Sequence, residues 1–318
     1  MTARIALFGA AGAIGRSIAT ALRHQGRPYR VVGRSRKALE EAFGADPLAE
    51  IVTWDPADPR SVRAAARGID TIFYLVGVNY WQFELHPRLM QATLDGAIAE
   101  RVARFVLVGT VYPYGRAQTD PVREDHPREP HTFKGRMRKA QEDLLMAADA
   151  AGQIQGSVLR LPDFYGPGVE ASYLHGAFTA AIRGGTANLV GPIDRPHEFA
   201  FVPDVGPVAV KLADTAGAYG RTWHFAGAGV TTQRALIGEI ERQAGRRLRY
   251  RVVGKLSLRL MGLFNAFMRE LVEMHHLMTE PVIMDDRALE KLIGPLRKTP
   301  YAQGVRSTLA AMRDAKRP

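Results

Sequence analysis

Residues 4–161 repeat one pattern. A short apolar or β-branched run is followed by a stretch whose apolar positions fall three or four apart. Residues 4–8, 29–32, 51–53, 71–76, 105–108 and 157–161 read as six strands, and RSIATALRHQG, SVRAAARG and RLMQATLDGAIAE as helices between them. Strands with no polar alternation, each followed by a helix, require a parallel sheet covered on both faces. The chain is therefore α/β and doubly wound, with its ligand expected at the carboxyl ends of the strands.

From about residue 163 the rhythm changes to Gly- and Pro-rich stretches, DFYGPG, RGGTANLVGPIDRPHEF and HFAGAGVTTQ, interrupted by single helices. This divides the chain into a dinucleotide-sized domain over 1–162 and a smaller lobe for substrate over 163–318, interleaved with the first. The stretch KLSLRLMGLFNAFMRELVEMHHLM over 255–278 is apolar but carries Lys255, Arg259, Arg269, Glu270 and Glu273, too many charges for a membrane span. A packed helix is the plain expectation. An apolar wall or lid over a hydrophobic substrate is the sharper one, and peripheral contact with a membrane surface a third.

Composition removes several function classes. The chain has no cysteine, which excludes disulfides and thiol catalysis, and His275 and His276 are adjacent with no ligand cluster around them, so no metal site is expected. There is no GxSxG elbow of a hydrolase. The formal charge of +11 comes from 43 basic against 32 acidic residues, but these form no long blocks and have no interleaved aromatics, so no nucleic-acid partner is expected. The N-terminal apolar stretch runs straight into glycines, without the core of an export signal, and a cytoplasmic location is expected.

In RIALFGAAGAIGRSIATAL, Gly9, Gly12 and Gly15 lie between a strand and a helix. That context calls for a tight turn, close approach of backbone to a pyrophosphate, and close helix-to-strand packing. Amides at the helix start, from Ala13 and Ile14, would meet the phosphates. The second strand ends in GRSR, with no carboxylate for the ribose hydroxyls. Arg34 and Ser35 stand there instead, and an arginine fork suits a 2′-phosphate, so NADP(H) is favoured over NAD(H). Asp55, after the third strand, is expected near the adenine. Val76, Leu161 and Pro162, where the fourth and sixth strands end, complete the expected cofactor contacts.

With GAAGAIG, RFVLVGTVYPYG, KAQEDLL, VLRLPDFYGPG and EFAFVPDVG in this order, the chain resembles the extended short-chain dehydrogenase/reductase superfamily of the NAD(P)-dependent epimerase/dehydratase type. The resemblance implies a Rossmann-type sheet, a Ser or Thr after the fifth strand, and a Tyr and a Lys four residues apart on the next helix. In that family the tyrosine exchanges a proton with the substrate oxygen. The lysine holds the nicotinamide ribose and lowers the phenol's pKa. Thr110 matches the hydroxyl and Lys139 the lysine, which puts Gly135 at the tyrosine position and leaves Lys134, Arg136 and Arg138 as a solvated face or an anion-attracting rim.

Tyr165 and Tyr112 are the favoured replacements for the phenol, with Tyr80 and Tyr114 read as packing residues. His86 is read as packed or at the surface. Asp163 stands two places before Tyr165, where nucleotide-sugar enzymes of the family commonly have Asn nearby, and its charge would repel a diphosphate. An NADP(H)-dependent reductase of a carbonyl or conjugated double bond in a small apolar molecule is therefore expected before a sugar-nucleotide epimerase or dehydratase. A catalytically silent NADP(H)-binding sensor, and a homodimer, also fit the sequence.

Overall fold

The structure is a computed structural model describing residues 4–315, without the side chains of 266 and 267. Its first half alternates as the sequence predicts: β1 (Ile5–Phe8), α1 (Ala13–His24), β2 (Tyr29–Gly33), α2 (Arg36–Phe43), β3 (Ala49–Thr53), α3 (Pro59–Ala66), β4 (Thr71–Tyr74), α4 (Leu85–Ala99), β5 (Arg104–Thr110), α5 (Phe133–Ala150) and β6 (Gln155–Leu161). The chain continues through β7 (Asp163–Tyr165), α6 (His175–Arg183), β8 (Thr186–Val190), β9 (Phe199–Phe201), α7 (Val202–Asp214), β10 (Arg221–His224), α8 (Gln233–Ala244) and β11 (Arg249–Val253). It ends with α9 (Lys255–Gly262), α10 (Ala266–Met274), α11 (His276–Thr279), α12 (Arg287–Ile293) and α13 (Tyr301–Asp314).

The main sheet has seven parallel strands in the order β3-β2-β1-β4-β5-β6-β10. Alternate side chains of β1 serve opposite faces, as a strand requires: Ile5 and Leu7 enter the core with α1 and α7, Ala6 and Phe8 the core with α3, α4 and α5. The order reverses between β1 and β4, which opens the crevice at their carboxyl ends.

The seventh strand lies in the half of the chain read as the smaller lobe. After β9, α7 packs back on α1, where the Ser17 hydroxyl donates to the Val202 carbonyl at 2.8 Å and accepts from the Gly206 N–H at 3.0 Å. β10 then pairs with β6, from Ser157↔Arg221 to Arg160↔His224. The lobe itself is two strand pairs, β7 with β9 and β8 with β11, around an apolar cluster with α6, α8 and α13.

Candidate functional site

The three glycines of the first turn are held for different reasons. Gly9 has φ +89°, and a Cβ there would lie 2.8 Å from the Leu75 carbonyl. At Gly15 a Cβ would collide with the Ala10 carbonyl. Gly12 has φ −69°, which any residue adopts, and a Cβ would meet nothing closer than the Gly9 oxygen at 3.7 Å. Protein packing thus demands the first and third glycines and not the second. Gly12 is exposed, and it caps α1 with no side chain bonding the free amides that follow. A cleared backbone and uncapped helix amides fit a pyrophosphate.

Beyond β2 the side chains sort themselves by their bonds. The Ser35 hydroxyl caps α2, accepting from the Ala38 N–H at 3.2 Å, and Arg36 pairs with Glu40 at 3.3 Å. Arg34 is exposed and has no partner among the described residues. Asp55 is built into its own turn, its carboxylate accepting from the Ala57 N–H at 2.9 Å. Val76 is half-buried after β4, and Leu161 and Pro162 are buried where β6 ends.

Helix α5 corrects the expected register by one residue. Thr132 caps it, its hydroxyl accepting from the Gly135 N–H at 3.0 Å, and the buried face then falls on Lys134, Gly135, Arg138, Gln141, Glu142 and Leu145. The side chains four apart that turn inward are Lys134 and Arg138. Lys139 is half-exposed and pairs with Asp143 at 2.7 Å. Gly135 has no room for a phenol, since even a Cβ would lie 2.7 Å from Pro130 and 2.8 Å from the Tyr112 carbonyl. The expectation that Lys134 and Arg138 form a solvated rim fails with it; only Arg136 faces water.

Lys134 is fully buried. Its ammonium pairs with Glu270 and with Glu273, both from α10, the latter at 2.7 Å, and lies 5.6 and 6.0 Å from the ring centres of Phe83 and Tyr80. One turn on, the Arg138 guanidinium donates to His86 Nδ1 at 3.2 Å and to the Val108 carbonyl at 3.4 Å. Burial, helped by Arg138, pulls the His86 pKa down to about 2, so the imidazole is neutral and can accept. His86 is the packed histidine expected.

The phenols divide into two groups. Tyr112, in the turn Tyr112–Tyr114 after Thr110, shares a 2.9 Å hydroxyl–hydroxyl bond with Tyr80, and the Thr110 hydroxyl accepts from the Tyr112 N–H at 3.4 Å. Burial raises the pKa of Tyr80, Tyr112 and Tyr173, and the Asp163 carboxylate adds to the rise in each. These groups stay protonated at working pH and act as hydrogen-bond donors. Asp163 itself meets His197 Nε2 at 2.5 Å. Tyr165 lies elsewhere, buried in the core of the second lobe among Phe178, Phe201 and Tyr301, its hydroxyl without a partner among the described residues. Tyr114 is structural as expected, its ring under Arg160 at 4.2 Å and its hydroxyl 2.5 Å from His224.

Sequence reasoning passed over Tyr173 and His197, and read Glu270 and Glu273 only as charges in an apolar stretch. The last two carried a signal: carboxylates three apart in an apolar stretch share a helix face and need a buried cation opposite. No group of three or more potential metal ligands occurs among the described residues.

A glycine turn at the switch point of a doubly wound sheet, with polar groups gathered at the strand ends, defines a dinucleotide-binding protein of the Rossmann type. The model of the NAD dependent epimerase/dehydratase family matches residues 5–224, and the chain belongs to that family. It is 31% identical over 227 residues to a dTDP-6-deoxy-L-talose 4-dehydrogenase (NAD(P)(+)) of Kitasatospora kifunensis, which covers 67% of this chain and 70% of that protein. It is 29% identical over 171 residues to a ceramide reductase of Caulobacter vibrioides, covering 52% of this chain and 47% of that one. Among solved structures, a dTDP-glucose 4,6-dehydratase of Streptomyces venezuelae with NAD bound superposes with a TM-score of 0.82 at 21% identity, over 98% of this chain and 97% of that one.

Proposed function

We propose that this chain is an NADP(H)-dependent oxidoreductase that reduces a carbonyl, or a double bond conjugated to one, in an apolar molecule. The observation that carries the reading is where the phenols lie. Tyr80, Tyr112 and Tyr173 pack against an apolar cluster built largely from Met274, Leu277, Met278, Val282 and Met284. Neutral O–H donors at the edge of a Met-rich wall suit an oxygen at the end of an apolar body. The likeness to a ceramide reductase supports an apolar substrate.

The amides after Gly12 would hold the pyrophosphate and Arg34 the 2′-phosphate. A bound nicotinamide would supply the hydride. Thr110 and Tyr112 would hold the substrate oxygen, with Tyr80 bonded behind Tyr112. Arg138, buried nearby, would stabilise the negative charge that develops on that oxygen. Tyr112 would then donate the proton.

Calorimetry with NADPH and NADH, followed by NADPH oxidation over a panel of apolar ketones and enones, tests this. Arg34→Ala should weaken NADPH roughly tenfold or more and leave NADH unchanged. Tyr112→Phe should lower turnover on the order of a hundredfold with NADPH affinity retained. Equal losses for the two cofactors would remove the NADP(H) assignment. The locked state of Lys134, which faces inward one residue before the Gly135 position that the resemblance assigned to the phenol, favours one other reading, a silent NADP(H)-binding sensor, which would bind NADPH and turn over no member of the panel.

A further inference from the structure

Nine large apolar side chains are open to solvent among the described residues, and five of them, Leu256, Leu260, Met261, Leu263 and Phe264, fall within one short run. Helix α9 packs by its narrow side only. Leu258 and Gly262 are buried, and Gly262 lies so close to α10 that a Cβ would come 2.9 Å from the Arg269 Cα. The opposite side repeats leucine at Leu256, Leu260 and Leu263, and Phe264 at its end is 93% exposed. Isolated exposed leucines are ordinary, but a contiguous patch marks a surface that meets something apolar.

Charge identifies what it meets. Between Glu241 and Glu270 the chain carries Arg242, Arg246, Arg247, Arg249, Arg251, Lys255, Arg259 and Arg269 and no acidic residue. Arg249, Arg251, Lys255 and Arg259 are exposed and have no carboxylate partner among the described residues. An apolar stripe flanked by unpaired cations complements a surface that is apolar within and anionic at its rim. A second copy of this chain fits it less well, because a two-fold contact sets the patch against itself and brings like charges together.

We propose that α9 and the turn into α10 dock on an anionic lipid bilayer. Leu256, Leu260, Leu263 and Phe264 enter the boundary between headgroups and acyl chains, while Arg251, Lys255 and Arg259 meet lipid phosphates. Docking here bears on the candidate site, because α10 carries Glu270 and Glu273 onto Lys134. The other exposed aromatics, Trp81 and Phe133, adjoin Tyr80 and Lys134 in the chain. The inference stands whether or not the chain is a reductase. No helix among the described residues is long and apolar enough to cross a membrane, so the contact is with one leaflet.

The test is sedimentation of the full chain with vesicles of phosphatidylcholine alone or mixed with phosphatidylglycerol, across a salt series. Binding to the mixed vesicles should be roughly tenfold tighter or more and should fall as salt rises. Leu260→Asp with Phe264→Asp should reduce it at least about tenfold, as should Lys255→Glu with Arg259→Glu, which keeps the apolar stripe. Circular dichroism and calorimetric NADPH binding show whether each variant is folded. Wild-type protein that sediments no better with anionic vesicles than without lipid overturns the proposal. So does binding that both variants leave unchanged. Concentration-dependent dimerisation in the ultracentrifuge, lost in Leu260→Asp and without vesicle binding, overturns it in favour of a second copy.

Discussion

Glu273 meets Lys134 twice. One carboxylate oxygen accepts from its backbone N–H at 2.9 Å, the other from its ammonium at 2.7 Å. A single acidic side chain of α10 therefore satisfies a free amide in the first turn of α5 and neutralises a cation that cannot reach water. Glu270 supplies the second charge.

Lys134→Met should lower stability by about 1 to 3 kcal/mol, less than for a fully buried pair because the carboxylates, 21% and 24% exposed, recover some hydration. Adding Glu270→Gln and Glu273→Gln should restore part of the loss. Urea midpoints for the single, double and triple variants measure the coupling.

Gly135→Ala sets two effects against each other. Alanine favours the helix by up to ~1 kcal/mol. Its Cβ, however, would lie 2.8 Å from the Tyr112 carbonyl, a backbone atom that cannot swing away. Overpacking of that kind costs about 1 to 3 kcal/mol, so the variant should be net destabilised in urea titration.

Gly12→Val separates binding from folding. The apo protein should keep a melting temperature near wild type, because protein atoms leave that Cβ free, while affinity for both NADPH and NADH should collapse by calorimetry. Gly15→Val, whose side chain collides with Ala10, should instead fail to fold.

Glu198 gives a pH signature. It is buried and accepts from the Met284 N–H at 2.7 Å and the Gly227 N–H at 3.3 Å, yet desolvation raises its pKa to about 7. The folded state holds this proton up to about pH 7, while the unfolded chain releases it near 4.5. Its contribution is thus fully present below pH 4.5 and is lost as pH rises to 7, on the order of 3 kcal/mol. Glu198→Gln should flatten that window in urea unfolding from pH 5 to 8, gaining on wild type toward the alkaline end.

The first six strands and the glycine turn were legible because each rests on local pattern: apolar runs and glycine spacing. β10 was not, since RTWH is too short and polar to announce a strand, and only pairing with β6 makes it one. In the site, the places of Thr110 at the end of β5 and of Arg34 just after β2 follow from the strand pattern. The helix register did not, because two candidate pairs, Gly135/Lys139 and Lys134/Arg138, share the same spacing. The choice between them is made by long-range contacts, from Tyr112 closing on Gly135 and Glu273 reaching Lys134. Tyr165 failed as a candidate for a related reason: proximity in the chain to a strand end did not reveal that the side chain turns into the second lobe.

The place of β10 at the edge of the sheet also orders events during synthesis. A nascent chain that has emerged only as far as β6 presents that strand to solvent with its outer hydrogen bonds unmade, in a run buried almost throughout in the finished protein. The edge stays open while the ribosome adds β7, α6, β8, β9 and α7, until Arg221–His224 arrives to cover it and Trp223 anchors to the Ala218 carbonyl at 2.7 Å. For that interval the growing polypeptide carries an adhesive apolar edge, the kind that recruits chaperones or pairs with a neighbouring chain.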